Sequence, residues 1–141
     1  MKKTLAKMIY NTRAEGYIDT VVCVMAAMMV IVLALNAFSF LTLKQNMDYF
    51  AKELIETATM YGRVSTEVKT RYTELVEELG INPKMNFSGS DYYNVVDGTV
   101  QLGDTIKLTL MYPTYVKGFG VFKIPVTLKS IHSGLSQKYW K

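Results

Sequence analysis

One histidine, one cysteine and three prolines are all that 141 residues hold of those types. Each scarcity excludes something. A zinc site draws three or four clustered ligands, and His132 and Cys23 do not supply them, so no metal and no other cofactor is expected. An intramolecular disulfide needs a second cysteine, so the folded part must hold by packing alone. No Ser-His-Asp arrangement can be built around a lone histidine near the C-terminus. No Gly-x-Gly-x-x-Gly or Walker run occurs either. Glu74, Glu77 and Glu78 fall together as a solvated helix face, not as a pair of catalytic carboxylates. The expectation is a protein that is not an enzyme and has no small-molecule substrate.

The most informative absence is of charge. The run that begins at Val21 and ends at Leu43 is 23 residues long and contains no charged residue, no Gly and no Pro. As a helix it spans about 35 Å, enough to cross a ~30 Å hydrocarbon core with slight tilt. A soluble core helix shows a polar face; here Asn36, Ser39 and Thr42 gather near one end. The run reads as a membrane span whose backbone satisfies itself within the helix, and the first partner is a lipid bilayer. Cys23, inside it, is an inert small hydrophobe, with acylation near the inner leaflet as its chemical alternative.

The formal net charge of +4 points superficially to nucleic acid. Of 16 Lys and Arg, however, four (Lys2, Lys3, Lys7 and Arg13) precede Glu15, and the remaining 12 balance the 12 acids. The basicity is a topology signal and not a binding surface, so no nucleic-acid partner is expected. Positive residues stay inside, which puts the N-terminus in the cytoplasm and residues 44–141 outside. A secretory signal peptide has a shorter apolar region and small residues at its cut; the length of this run and Leu35-Asn36-Ala37 fit that poorly.

Past the run, Met47, Phe50, Leu54, Ala58 and Tyr61 recur at spacings of three and four, with Asp48, Lys52 and Glu56 on another face. No Gly or Pro interrupts from Tyr17 to Tyr61, so one helix is expected to continue out of the membrane. Gly62 is its weak point. Val64, Val68, Tyr72, Leu75 and Leu79 resume the stripe, with Ser65 as an N-cap and Gly80 with Pro83 as the stop.

From Met85 the period becomes two. Tyr93 and Val95 lead into the hairpin signal Asp97-Gly98, followed by Val100 and Leu102. Ile106, Leu108, Leu110 and Tyr112 alternate with polar residues until Pro113, where the strand is expected to stop. Phe122, Ile124, Val126 and Leu128 alternate again, and Pro125 assigns that strand to an edge. The fold class is therefore α+β: a long N-terminal transmembrane and amphipathic helix, a second helix, then a small antiparallel β-meander of three or four strands packed on the helix. The division is a basic leader over residues 1–14, the helix over 15–62, and an extracellular α+β domain over 63–141. The 10 tyrosines suit strand packing, with a sugar-binding patch as the alternative.

One motif remains. A basic leader ends in Ala14; Glu15-Gly16-Tyr17-Ile18-Asp19 follows, and the apolar run comes directly after. Asp near a helix N-terminus is favoured by the dipole, yet an acid at the bilayer edge is costly without a partner. This arrangement resembles the processing pattern of type IV pilin precursors. The chain resembles the TadE-like minor pilins and pseudopilins of tight-adherence pilus systems. It is closest to an uncharacterised family of small pilin-like single-pass proteins of Gram-positive bacteria, with which it shares the Tyr139-Trp140-Lys141 ending. The resemblance implies a prepilin peptidase that cuts between Ala14 and Glu15 and leaves the span in place. It also implies Asp19 as the assembly residue, with other pilin-like subunits and a secretion ATPase and platform complex as partners, in the cell membrane or a surface filament. Two residues depart from the family pattern: Ala14 stands where Gly is usual, and Asp19 where major pilins carry Glu. The second departure suits a minor subunit. The competing reading is a membrane-anchored extracellular binding module that does not assemble.

The topology carries its own test. Protease added to intact, wall-stripped cells is expected to remove residues beyond Lys44, whereas full protection of the C-terminal domain would invert the orientation.

Overall fold

A computed structural model describes residues 12–117 and 123–141, with side chains from Gly16 onward and none over 117–122. The leader side chains, those of Ala14 and Glu15 at the cleavage point, and Phe122 of the anticipated strand lie outside the described residues. The fold is α+β. Helix α1 (Thr12–Tyr61) runs unbroken for 50 residues, about 75 Å. Helix α2 (Thr66–Leu79) runs back along it. Five strands follow: β1 (Lys84–Asn86), β2 (Tyr92–Asn94), β3 (Thr99–Val100), β4 (Thr105–Lys117) and β5 (Lys123–Leu135).

The two halves of α1 have different surroundings. From Gly16 to Leu35 every side chain is exposed. Farther on, Met47, Phe50, Ala51, Leu54, Ile55 and Ala58 form a buried stripe. Against it lies one face of the sheet, with Ile106, Leu108 and Leu110 of β4 and Leu128 of β5 buried. Helix α2 seals a second flank of the stripe with Val68 and Leu75, and Phe50 meets Tyr72 edge-on at 5.4 Å between ring centroids. Arg71 bridges Glu53 of α1 (2.9 Å) and Glu74 of its own helix (3.0 Å). Those two carboxylates hold the guanidinium pKa above its ordinary value.

Between the helices the chain turns at Gly62, whose φ of +61° suits glycine. An added Cβ there would come within 2.4 Å of the Lys138 Cβ, so the site is closed to larger residues by packing as well. Three donors and acceptors converge on this break. The Val100 N–H donates to the Gly62 carbonyl at 2.8 Å, the Trp140 Nε1–H donates to the same oxygen at 3.0 Å, and Val64 N–H donates to Gly98 O at 2.9 Å. The C-terminal tail is thereby tied down: Gln101 both donates to Trp140 O (2.8 Å) and accepts from Trp140 N–H (2.7 Å). Lys138 covers the Trp140 ring at 5.6 Å.

Several expectations need correction. Ser65 occupies the N-cap position of α2 but makes no cap hydrogen bond; its hydroxyl donates to the Glu67 carboxylate, which Arg63 also holds. The Ser65 hydroxyl, the Glu67 backbone amide and Arg63 draw the Glu67 pKa down to about 2. Gly80 does end α2, at φ +65°, its N–H on Val76 O. The strands are not a simple meander: β1 flanks β4 in a three-stranded sheet of order β1-β4-β5, and β2 and β3 form a separate two-stranded ribbon. Val95 and Leu102 fall outside that ribbon's strands and are exposed. Pro113 does not stop β4. Beyond Met111 β1 offers no partner, and a missing N–H is tolerated on such an open edge.

The largest surprise is register. The two anticipated strands meet only at their ends, Tyr112 opposite Leu128, and Ile124 faces Val116, beyond the expected stop at Pro113. Residues 106–110 pair instead with 130–134, where Ser130, His132 and Gly134 face inward. These residues are small or polar for a reason. The strand crosses α1 so closely that a Cβ on Gly134 would lie 2.6 Å from the Thr59 methyl. Ser130 Oγ donates to Asp48 Oδ1 at 2.5 Å, and Lys44 Nζ reaches the same oxygen at 2.8 Å. Burial alone would raise the Asp48 pKa; these two hydrogen bonds outweigh it and keep the carboxylate below its ordinary range.

Since Phe50 and Leu108 are fully buried on opposite sides of one interface, truncation of either to Ala should cost about 2–5 kcal/mol, as for other core truncations. Chemical denaturation of the full chain in detergent micelles measures it; unchanged midpoints for both variants would mean that helix and sheet do not share a core.

Candidate membrane and assembly surface

The exposed half of α1 is a large apolar surface that the fold does not use. Tyr17, Ile18, Val22, Met28, Leu33 and Leu35 point to different sides of the helix, and all are more than half exposed. The helix is long and apolar enough to cross a membrane, and it is compatible with a single-pass membrane anchor. Its Ser and Thr hydroxyls turn back on its own backbone. Thr20 Oγ1 donates to Gly16 O at 2.7 Å, Ser39 Oγ to Leu35 O at 2.9 Å, and Thr42 Oγ1 to Phe38 O at 3.1 Å. Such bonds satisfy these three donors within the helix, as hydrocarbon requires.

The residues singled out for chemistry lie along this helix. Ala14 and Glu15 have helical backbone continuous with the apolar segment. Asp19 is exposed one turn farther on and has no hydrogen-bond or ion-pair partner among the described residues. It is the only acid between Gly16 and Asp48. Cys23 is exposed on the same segment. Glu15 and Asp19 are four positions apart along one helical backbone, and the exposed Asp19 side chain does not meet the folded domain.

Elsewhere the side chains with chemical potential are engaged structurally. His132 is half-buried on the inner face of β5, opposite Leu108. Glu74 is held by Arg71. Asn86 Oδ1 accepts from Ser88 N–H at 2.7 Å, a local turn. No cluster of three or more metal-binding side chains occurs among the described residues. Tyr93, Tyr115 and Tyr139 are exposed, whereas Tyr92 donates to Phe87 O and Tyr112 packs on the core. The role of the terminal Tyr139-Trp140-Lys141 segment at the Gly62 break was not legible from periodicity, because it depends on hydrogen bonds between residues 78 positions apart.

Beside the outer end of the apolar helix the sheet forms a cleft of about 250 Å³, lined by Asn36, Ser39, Phe40 and Leu43 of α1 and Thr114, Tyr115 and Val116 of β4. Asn36, the first polar residue of the long apolar run, is half-buried there.

Comparison with known proteins finds one family model, a domain of unknown function designated DUF4320, over residues 24–141. No curated protein and no solved structure matches the chain.

Proposed function

The chain belongs to the DUF4320 family, and on that footing we propose that it is a TadE-like, pilin-like membrane subunit. In this reading the leader is inside and the sheet outside. A prepilin peptidase cuts between Ala14 and Glu15 on the cytoplasmic side, and the retained span is later extracted into a pilus or secretion pseudopilus. A secretion ATPase and its platform complex drive that step. The observation that carries the proposal is one helix with two kinds of surface. Residues 16–35 are apolar and exposed all round, and the same helix then packs beneath a small antiparallel sheet. Such a subunit can exchange lipid for neighbouring helices without unfolding, because its outer domain makes no use of residues 16–35.

Asp19 supplies the chemistry of assembly. A carboxylate at the bilayer edge reaches water easily and needs no partner there. Inside a fibre it would need a cation, and cleavage creates one, the new amino group of Glu15 in an adjacent subunit. Burial strengthens that attraction while desolvation offsets much of it, and removing one partner is worse than removing both. The competing reading, an anchored binding module, is supported by the exposed tyrosines and requires neither cleavage nor Asp19.

Two measurements decide. N-terminal mass spectrometry of the membrane-isolated protein should find a chain that begins at Glu15 and retains the span; an intact Met1 in cells with an active peptidase, or a cut after Ala37, would overturn the processing step. Asp19→Asn should leave insertion, cleavage and the outer domain intact but block incorporation into sheared or secreted fibres. Equal incorporation removes the role given to Asp19, and a wild type found in no assembly favours the anchored module.

A further inference from the structure

The inner face of the sheet does not end where the core stripe of α1 ends. It runs from Gly134, close against Thr59, through Leu108, Leu110 and Leu128, to the cross-strand pair Val116 and Ile124. At that far end the helix alongside is no longer the amphipathic part of α1. It is Asn36, Ser39, Phe40 and Leu43, the outer end of the uncharged run.

Lys44 fixes the level. Its Nζ lies 3.1 Å from Lys129 O, so the two residues are side by side. From Lys44, Asn36 is eight residues along α1 in the direction of the span, about 12 Å. From Lys129, Ile124 is five residues along β5, about 17 Å. Hence the hairpin descends beyond Lys44, the last charge that closes the apolar run. The part of α1 left exposed on all sides is residues 16–35, about 30 Å of helix and the thickness of a hydrocarbon core. On that measure the bilayer surface falls near Asn36, level with this part of β4 and β5.

The side chains there suit that level. Tyr115 is 63% exposed on one face of the hairpin and Ile124 60% on the other, and Phe38 and Leu41 of α1 are exposed to a similar degree. In water these would be exposed apolar side chains at one level of the molecule, whereas at a membrane interface a tyrosine ring bridges acyl chain and headgroup. Lys123, exposed next to Ile124, is long enough to keep its ammonium among phosphates while its stem lies on apolar surface.

We propose that β4 and β5 at Tyr115, Lys123 and Ile124 form a second membrane-contact site. Tyr115, Lys123 and Ile124 enter the headgroup zone of the leaflet from which α1 emerges. The ligand is the lipid surface itself, with headgroup phosphate against Lys123. A single helix can rotate about its axis and slide in depth; a second contact beside it sets both and fixes which side of the span faces a neighbour. The inference rests on the membrane reading of α1.

The test uses the full chain in vesicles of mixed zwitterionic and anionic phospholipid, with bromine on the acyl chains as a short-range quencher. Tryptophan is placed singly at Tyr115 and, as a control, at Met28 in the span. Native Trp140, bonded to Gly62 some 26 residues beyond Asn36, about 39 Å up the helix, is the internal reference. Both Tyr115→Trp and Met28→Trp should show loss of emission in brominated vesicles and a blue shift, while the wild type shows neither. Quenching at 28 but not at 115 overturns the second contact and leaves the span standing. Quenching at neither position overturns both. A blue shift at 115 that grows with protein-to-lipid ratio and is insensitive to bromine assigns this face to a second copy of the chain, and also overturns the proposal.

Discussion

The folded part of the chain depends on the packing of one stripe of α1 against one face of a three-stranded sheet. Met47, Phe50, Leu54 and Ala58 face Ile106, Leu108, Leu110 and Leu128, and Val68 and Leu75 of α2 close the flank. A small antiparallel sheet with one apolar face is marginal by itself and needs a cover. Here the cover is the same rigid helix that forms the apolar segment. The outer domain therefore cannot swing freely on a linker: no Gly or Pro separates the exposed half of α1 from the buried half. Any force or positional constraint on the apolar segment passes directly into the sheet.

Close approach governs the details of that interface. Ala51 and Ala58 on the helix and Ser130 and Gly134 on the strand are small, and the gap they leave is too narrow for larger side chains, as the 2.6 Å approach of a virtual Cβ at Gly134 to Thr59 illustrates. Where the helix emerges, Lys44, Asp48, Ser130 and the Lys129 carbonyl replace apolar packing by hydrogen bonds. At the opposite end, the Gly62 break is closed by β3 and by Trp140. Thus the two ends of the helix–sheet contact are polar locks, and the middle is hydrophobic. The locks define register; burial of the middle supplies most of the driving force.

The DUF4320 match begins at residue 24, inside the apolar run, and continues to the last residue. The segment on which cleavage and Asp19 depend therefore precedes the matched region, while the helix, sheet and terminal tail lie within it. The family assignment and the assembly proposal rest on different stretches of one chain. The exposed helix surface links them, since a pilin-like subunit needs both a span that can change partners and an outer domain indifferent to that change.

Sequence alone was sufficient for the elements whose cause is local. The uncharged run, the unbroken helix to Tyr61, the second helix with its Gly80 stop, and the alternation in β4 all follow from periodicity and from where Gly and Pro stand. Asp19 is conspicuous in the sequence as a lone acid before an apolar run, and its proposed role rests on that placement. Tertiary structure decided what depends on residues far apart. It extended β4 through Pro113 because its edge there is open, and it recruited Ser130, His132 and Gly134 into β5 although they break the apolar alternation. It set β1 beside β4, since strand order leaves no trace in local pattern. It also turned Tyr139-Trp140-Lys141 from an ending into a clasp on Gly62. The common reason is distance along the chain: hydrophobic period reports which face a residue shows, but only the folded helix determines how near the opposing strand must come and which side chains that gap admits.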